Sequence, residues 1–341
     1  MTQIVRLDPA DPDAARAFYE VREAARVADE PFTSPLSRQM ARNWVTEGWT
    51  ADPAVTWYVP GAEPGTADGW YRLELPDLEN RDRAGLSLGV HPSRRRAGLG
   101  TALLQHAAEQ ASAEGRTVLA SGVPRGSAGE AFALRAGVTF GIEDVRRLHD
   151  LHAIPAGLLA SLRETAEKAA AGYSLVSWIG PVPGDHLEQV ATVINALNDA
   201  PHDAGVEPDL WDGARVDERW NGPGPRFGFR AYAVAAVHDA TGEMAAITEI
   251  VVHPETPEWA NQAFTAVTRA HRGHKLGLLV KVAMADTLLA AEPGLRWIET
   301  WNAASNQYMI AVNEMLGYQV SGPPGVSVEL PVAKLTGQAG G

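Results

Sequence analysis

The fold of this 341-residue chain is constrained most by a pattern that occurs twice. Leu86–Gln105 and Phe264–Met284 each place a strand-like apolar run before a basic turn, and the turn opens into an amphipathic segment. Three pairs of positions keep one constant offset along the chain, called the repeat offset below: Arg95 and Arg272, Gly98 and Lys275, Gly100 and Gly277. A pattern repeated in this way predicts a tandem repeat of domains, and the chain is long enough for two cores.

Such an element is suited to bind phosphate. The first turn of a helix leaves backbone N–H groups unpaired and carries the positive end of the helix dipole, so anions bind there. Glycine lets the backbone approach a ligand closely and adopt the left-handed conformation of a tight turn. Arginine adds a charged, forked donor.

Apolar residues recur at helical spacing after each turn, which predicts a helix with one buried face. They are Leu99, Leu103 and Ala107 in the first copy and Leu276, Leu279, Val280 and Ala283 in the second. Lys275 and Lys281 are expected to lie in solvent.

The first copy has the spacing Arg-x-x-Gly-x-Gly after a strand, from Arg95 to Gly100. This pattern resembles the acyl-CoA pyrophosphate loop of the GNAT N-acetyltransferase superfamily. The second copy keeps Arg272 and Gly277 but departs from the pattern at Lys275. Each half also ends as in that superfamily, with a strand, a turn, a helix and a terminal glycine. These segments are Thr300–Tyr318 and, more weakly, Ala128–Phe140.

The resemblance implies an α/β fold of two tandem GNAT-like domains of the actinobacterial type. Each domain is expected to have a mixed, mostly antiparallel central sheet flanked by helices. The predicted boundaries are 1–152 for the first domain, 153–172 for a helical linker and 173–332 for the second domain. Residues 333–341 have little to bury and are predicted to be a disordered tail.

Composition limits the partners. A formal net charge of -13 argues against a nucleic-acid binder, because affinity for phosphates needs clustered cations. The acidic balance either favours a cationic substrate such as an amine or simply keeps the protein in solution. The chain has no cysteine, no signal-like N-terminus and no apolar stretch of membrane-span length. A cytoplasmic protein without membrane partners is therefore expected, either a monomer or a homodimer.

The resemblance implies that acetyl-CoA is the acyl donor, and it assigns the donor-binding residues. They are Val90, Arg95, Arg96, Ala97, Gly98, Leu99, Gly100 and Thr101 in the first copy, and Val267, Thr268, Arg269, Arg272, Gly273, His274, Lys275, Leu276, Gly277, Asn302 and Asn306 in the second. Asn302 and Asn306 have an alternative role as helix caps.

Acetyl transfer to an amine needs a general base. Glu249 is the leading candidate, because it interrupts the apolar run ITEIVV, and burial there would raise its pKa. The alternative is an edge-strand carboxylate that faces water. His271 is a second candidate base, or else a packing residue. Trp211 and Trp220 lie where this fold covers the acceptor cleft, and they are either cleft or core residues.

The general acid is the main departure from the superfamily. Many members have a tyrosine four residues before the terminal glycine, where this chain has Asn313 and, in the first half, Ala133. Asn313 could hydrogen-bond the leaving sulfur or a water, Tyr308 could reach in from one turn earlier, or solvent could protonate the thiolate.

Two other patterns do not lead to sites. Ser87 completes a G-x-S-x-G string but lies within a strand rather than on a strand-to-helix elbow. His271 and His274 have no third ligand at a known spacing, so no metal is expected.

The sequence thus predicts an N-acetyltransferase that acts by direct attack of an amine on the thioester through a tetrahedral intermediate, with the second domain as catalyst. The alternatives are a mycothiol-synthase-like enzyme, a natural-product tailoring or resistance acyltransferase, and a non-catalytic acyl-CoA-binding module.

Overall fold

The structure, a computed structural model, describes residues 3–46, 51–222 and 228–337. The strands in these residues are β1 (Val5–Arg6), β2 (Ala54–Pro60), β3 (Ala67–Glu74), β4 (Arg83–Val90), β5 (Val118–Pro124), β6 (Thr139–Asp150), β7 (Tyr173–Ile179), β8 (Arg230–His238), β9 (Met244–Val252), β10 (Trp259–Val267), β11 (Trp297–Ala303), β12 (Gln319–Val320) and β13 (Gly325–Pro331).

The α-helices in the same residues are α1 (Pro12–Asp29), α2 (Arg38–Asn43), α3 (Leu99–Ala113), α4 (Ala128–Ala136), α5 (Leu158–Ala169), α6 (Leu187–Asn195), α7 (Gly213–Arg215), α8 (Leu276–Ala291), α9 (Gln307–Leu316) and α10 (Ala333–Thr336). A π-helix, Val216–Asn221, follows α7 directly. None of these helices combines the length and the apolar character that crossing a bilayer needs.

The chain divides into two compact units. The first contains Met1–Glu143, Asp203–Glu207 and Gly322–Gly341, and the second contains Asp144–His202 and Pro208–Ser321. This division differs from the continuous domains predicted from the sequence, 1–152 and 173–332. The reason is that hydrogen bonding across strand edges, and not order along the chain, decides which unit a strand joins.

Three elements account for the difference. Strand β13 pairs antiparallel with β5 and so joins the first unit. The part of β6 from residue 144 onward pairs antiparallel with β11 in the second unit. The predicted linker, 153–172, contains α5, which packs on α8 and buries Ala166 and Ala170 in the core of the second unit.

The predicted disordered tail is wrong at its start, because Ala333–Thr336 form α10. Val332 and Leu335 pack against the apolar core of the first unit, and burial of these side chains offsets the entropy of ordering the segment. Residues 338–341, the rest of the predicted tail, lie outside the described residues.

The first unit has a sheet in which β1 to β4 are antiparallel neighbours, β4 and β5 are parallel, and β13 pairs with β5. Helix α3 covers one face through Leu103 and Ala107. Helix α1 covers the other face, where the rings of Phe18 and Trp70 pack edge to face with their centroids 5.2 Å apart. The side chain of Asp11 begins α1 by accepting the backbone N–H groups of Asp13 and Ala14.

The second unit repeats this arrangement. Strands β7 to β10 are antiparallel neighbours, β10 and β11 are parallel, and β6 pairs with β11. Helices α8 and α5 pack on one face of the sheet, while α6 and the π-helix pack on the other. The predicted α/β class, with mixed and mostly antiparallel sheets flanked by helices, is confirmed.

Candidate functional site

The turn after β4 has the conformation of an anion-binding nest. Arg96 and Gly98 both have positive φ, 67° and 81°, and the residues next to them do not. Gly98 is the N-cap of α3. The first helical bond runs from the Ala102 N–H to the Gly98 carbonyl, so the N–H groups of the first turn have no helical acceptor.

The turn after β10 has the same conformation although its glycine lies elsewhere. Gly273 and Lys275 have φ values of 91° and 54°, and the repeat offset relates them to Arg96 and Gly98. Lys275 is the left-handed N-cap of α8, as Gly98 is of α3. The departure from the glycine pattern at Lys275 therefore changes the residue but not the backbone conformation.

Two further glycines point to a ligand at each turn. Gly100 and Gly277 have ordinary helical φ, and an added Cβ would meet side-chain atoms only at van der Waals distances, at 3.5 Å from Phe132 and 3.7 Å from Val267. Packing within the protein therefore does not require glycine at either position. Close approach of a ligand backbone or phosphate to the helix start would require it.

The arginines that lead the two turns hold the turns in place. In the first unit the Arg95 Nε donates to the Val90 carbonyl at 3.2 Å, and the two Nη atoms donate to the carboxylate of Asp29 at 2.7 Å each. In the second unit Arg272 donates to the Val267 carbonyl at 3.3 Å and to Asp199 at 2.7 Å.

These contacts change the role predicted for the arginines, because their guanidinium groups already have protein acceptors. Arg269 also pairs with Asp199 at 2.7 Å. Hydrogen bonds from Arg269 and then Arg272 hold the pKa of Asp199 below its usual value. The sequence analysis missed Asp29 and Asp199, since each lies far along the chain from the turn it anchors.

Each turn lies at the open end of a pair of diverging parallel strands. The parallel register between β10 and β11 covers only Trp259 to Asn261, and that between β4 and β5 covers Arg83 to Gly85. The residues of β4 and β10 that follow these registers thus make no ladder bonds to the parallel neighbour, up to Val90 and Val267, whose carbonyls accept from Arg95 and Arg272. An extended ligand arm can pair with these strand residues while its phosphates reach the turn.

Glu249 lies in the centre of the second unit, on β9 between β8 and β10. Its side chain is buried, and the Trp220 Nε1 donates to both carboxylate oxygens, at 3.1 and 3.0 Å. Burial raises the pKa of Glu249 to about 7, although the hydrogen bond from Trp220 opposes the shift. The alternative of an edge-strand carboxylate facing water is therefore excluded, and Trp220 covers the carboxylate.

The first unit has the opposite charge at the matching position. Arg72 and Glu249 are related by the repeat offset, and so are Ser87 and Phe264, their partners across the ladder. The buried Arg72 donates to Glu74 at 2.8 Å. A guanidinium stays protonated in proteins, so this position cannot serve as a general base.

His271 is not near Glu249. Its Nδ1 lies 2.8 Å from the hydroxyl of Tyr173, which pairs with His238 on β8. Glu249 pairs with Ala233 on the same strand. His238 and Ala233 are five residues apart on β8, which is a distance of about 16 Å. His271 is therefore a packing residue beside the turn, and the structure does not support it as the base.

Tyr308 and Asn313 lie on different sides of α9. Tyr308 is 57% exposed and Asn313 is fully buried, and five residues of helix place them about 140° apart. Asn313 Nδ2 donates to Asn302 Oδ1 at 2.8 Å, and its Oδ1 is buried without a partner among the described residues. Asn306 caps α9 through the Met309 N–H. Asn306 therefore has the structural role, while the buried Asn313 is hydrogen-bonded to the partly buried Asn302.

Lys281 is a correction to the sequence analysis, which placed it in solvent. It is buried, and its Nζ donates to Gln262 Oε1 at 2.9 Å and lies 4.8 Å from the Tyr318 ring. Nearly every position of α8 is buried from Leu276 to Ala285, because α5 and the sheet cover it. In the described residues no three His, Asp or Glu side chains meet to hold a metal ion.

Comparison with known proteins identifies the fold. Residues 15–128, in the first unit, match the Acetyltransferase (GNAT) family. A sequence comparison with curated proteins gives no match. The structure resembles a tandem GNAT protein from the clavulanic acid biosynthesis pathway, solved without AcCoA, with a TM-score of 0.79, 29% identity and coverage of 97% of this chain and 98% of that chain.

Two more distant structures show the same fold. A GCN5-related N-acetyltransferase from Sphaerobacter thermophilus has a TM-score of 0.64 and 18% identity, and the match covers 97% of this chain and 95% of that one. The glucosamine N-acetyltransferase region of a fungal multi-domain GH3 beta-N-acetylglucosaminidase has a TM-score of 0.64 and 13% identity, with coverage of 95% and 38%. The resemblance predicted from the two turns is thus confirmed: residues 15–128 match the GNAT acetyltransferase family, and over its length the chain has the fold of a tandem GNAT protein.

Proposed function

We propose that this acyltransferase moves an acetyl group from acetyl-CoA to the primary amine of a small molecule, and that the second unit is the catalytic one. The observation that supports this proposal most is the environment of Glu249. Glu249 is a buried carboxylate with a pKa raised to about 7. It lies on β9, next to β10, which leads into the turn from Gly273 to Gly277. A base whose pKa lies near the working pH is the kind that removes a proton from an ammonium group.

Acetyl-CoA supplies an activated acetyl thioester. The backbone N–H groups of the turn from Gly273 to Gly277 hold the pyrophosphate, and the edge of β10 beyond its register with β11 holds the pantetheine arm. Glu249 takes a proton from the ammonium group, directly or through a water, and the lone pair of the neutral amine then attacks the thioester carbon. The nitrogen of the tetrahedral intermediate loses its second proton to solvent. The carbon–sulfur bond then breaks and CoA leaves as a thiolate.

The leaving thiolate is protonated by solvent in this proposal. Asn313 has no acidic proton, and Tyr308 lies on the other side of α9. Asn313 acts instead as a binding residue, because its Oδ1 is a buried acceptor without a partner in the described residues. An N–H donor of the pantetheine arm or an ordered water would satisfy it.

The first unit binds acetyl-CoA without turnover in this proposal. Its turn has the full nest, with Arg96 and Gly98 at positive φ and Gly100 at the helix start. Arg72, however, occupies the position of the base. The first unit would thus bind the donor only, whereas the second unit would both bind the donor and transfer the acetyl group.

Titration calorimetry and thiol release test the proposal together. The wild type is expected to bind two equivalents of acetyl-CoA and to release CoA thiol with at least one amine of a panel. In Arg272→Ala, thiol release and one of the two equivalents should be lost, whereas in Arg95→Ala thiol release should persist. Absence of acetyl-CoA binding to the wild type would refute the proposal. Turnover that is lost only with Arg95→Ala would move catalysis to the first unit.

A tailoring acyltransferase of a biosynthetic pathway is the second candidate. The 29% identical tandem GNAT protein comes from the clavulanic acid pathway, and the match covers nearly all of both chains. Thiol release with biosynthetic amines, but not with simple alkylamines, would favour this candidate.

A further inference from the structure

The β9–β10 ladder of the second unit contains an irregularity that the matching β3–β4 ladder of the first unit lacks. On β10, Gln262 pairs with Ile250 and Phe264 pairs with Glu249, so Ala263 is an extra residue in the ladder. In the first unit, β3 and β4 pair without a break from Gly69 to Glu74. A β-bulge bends its strand and opens the ladder locally, and bulges are frequent beside active sites.

The side chain of Gln262 fills the opened ladder. Its Nε2 donates to the main-chain carbonyl of Glu249 at 2.7 Å and to that of Phe264 at 2.9 Å. It also lies 2.9 Å from Thr248 Oγ1. The amide therefore joins the backbone of the candidate base to the strand that contains the bulge.

Lys281 orients this amide. Its Nζ donates to Gln262 Oε1 at 2.9 Å. A lysine ammonium is a donor only, so it selects the amide orientation that directs Nε2 toward the two carbonyls. No carboxylate lies within ion-pair distance of Lys281 in the residues that the structure describes, so charge pairing does not explain a buried lysine here. The titratable groups that face it are His149, on β6, and Tyr318.

The first unit shows that the fold does not need this polar pair. By ladder pairing Gln262 corresponds to Leu86, since their partners Ile250 and Leu73 are related by the repeat offset. The same offset relates Lys281 to Leu104. Both leucines belong to the apolar core beside an unbroken ladder. The polar pair and the bulge therefore occur together.

We infer that Gln262 and Lys281 are positioning residues that hold the bulge at Ala263 and, through it, the backbone of Glu249 for proton transfer. The catalytic half of this inference rests on the proposed function, whereas the structural half does not. Gln262 supplies the N–H groups that the bulged ladder needs. Lys281 keeps the amide from turning over.

The test is Gln262→Glu, which keeps the size of the side chain and its contact with Lys281 but cannot donate to the two carbonyls. We expect kcat to fall at least about 10-fold while KM for acetyl-CoA stays within about two-fold, because the turn that holds the phosphates is untouched. Hydrogen exchange of the β10 amides from Ala263 to Thr265 should become at least about 10-fold faster, because the ladder opens locally without the hydrogen bonds from Gln262.

Two further variants control for loss of folding. The double variant Gln262→Leu with Lys281→Leu copies the first unit, and we expect it to fold with an equal or higher Tm but to show the same loss of kcat. Gln189→Glu changes an amide whose Oε1 accepts the Met244 N–H at the start of β9, and this acceptor is retained. Gln189→Glu should alter neither kcat nor exchange at Ala263.

The outcomes separate this inference from the proposed function. If hydrogen exchange at Ala263–Thr265 is unchanged in Gln262→Glu, then Gln262 does not hold the bulge, whatever the activity of the variant. Faster exchange with unchanged kcat, in a protein that turns over, overturns the positioning role. If the wild type transfers no acetyl group, the proposed function fails, and exchange alone then decides whether the pair holds the bulge.

Discussion

The two units have the same backbone at the phosphate turn and different side chains at the sheet centre. Both turns have positive φ at two positions related by the repeat offset, although the glycine is at the second position in one turn and at the first in the other. At the sheet centre, Arg72 in the first unit corresponds to Glu249 in the second. The backbone of a binding turn can thus be kept while the charge beside it is reversed.

The second unit buries Glu249 and Lys281 where the first unit has Arg72 and Leu104. Burial raises the pKa of Glu249 to about 7 and lowers that of Lys281 to about 7. Burying such groups is costly, and a core can be built without them, as Leu104 shows at the position of Lys281. Groups kept at this cost are candidates for function, which is why the second unit is proposed as the catalyst.

The largest effect is expected from removal of the proposed base. Glu249→Gln should lower kcat about 10²- to 10⁴-fold, because general base catalysis contributes on this scale. In the wild type, kcat/KM should rise as the pH passes through about 7, where the carboxylate forms. The remaining activity of the variant should not show this rise.

The control for this prediction is Arg72→Lys, which keeps a cation at the matching position of the first unit. Its kcat should stay within about two-fold of the wild type. A loss of activity in Arg72→Lys equal to that in Glu249→Gln would remove the distinction between the units.

Glu249→Gln should change stability in the opposite direction to activity. The folded-state pKa of Glu249 is above its ordinary 4.5, so its contribution to stability is complete below about pH 4.5 and is lost as the pH rises through about 7. Glu249→Gln removes this loss. Urea unfolding should show about 3 kcal/mol higher stability than the wild type at pH 8 and no difference at pH 4. Equal stabilities at both pH values would mean that the carboxylate is solvated.

The third comparison uses the two glycines at the helix starts. Gly277→Ala should weaken acetyl-CoA binding to the second unit about 10-fold, because the added Cβ projects where the ligand lies. The free energy of unfolding should nevertheless rise by up to about 1 kcal/mol, since alanine is favoured in a helix and meets no close contact. Calorimetric titration and urea unfolding measure the two effects.

Gly100→Ala is the matched variant in the first unit. It should lose affinity for one equivalent of acetyl-CoA while kcat is unchanged. If Gly277→Ala is more stable and binds acetyl-CoA as tightly as the wild type, the turn of the second unit does not hold the donor.

The smallest effect is expected from the exchanged glycine positions. Lys275 adopts φ 54° without being glycine, and this conformation costs an L-residue about 1 kcal/mol. Lys275→Gly should therefore raise the free energy of unfolding by about 1 kcal/mol, whereas Gly98→Ala should lower it by a similar amount. Lys275→Ala removes the ammonium but keeps the Cβ and should give no gain. An equal gain in Lys275→Ala would assign the effect to charge.

Part of the site could be predicted from local sequence. The strand, turn and helix around Gly98 and Lys275 form within short contiguous stretches of chain, so spacing and residue type suffice to predict them. Glu249 could be singled out because a carboxylate inside an apolar run has few places to lie. The partners of these residues could not be predicted, since Asp29 and Asp199 lie 66 and 73 residues from the arginines they bind.

The sequence by itself determined the repeat, the α/β class, the two anion-binding turns and the candidate base, because each depends on local periodicity or on spacing along the chain. Tertiary structure decided the rest. It placed β13 beside β5, buried Lys281 against Gln262, separated His271 from Glu249, and put Tyr308 and Asn313 on different sides of α9. The physical reason is that strand pairing and burial depend on which surfaces meet in space, and residues far apart in the chain supply those surfaces.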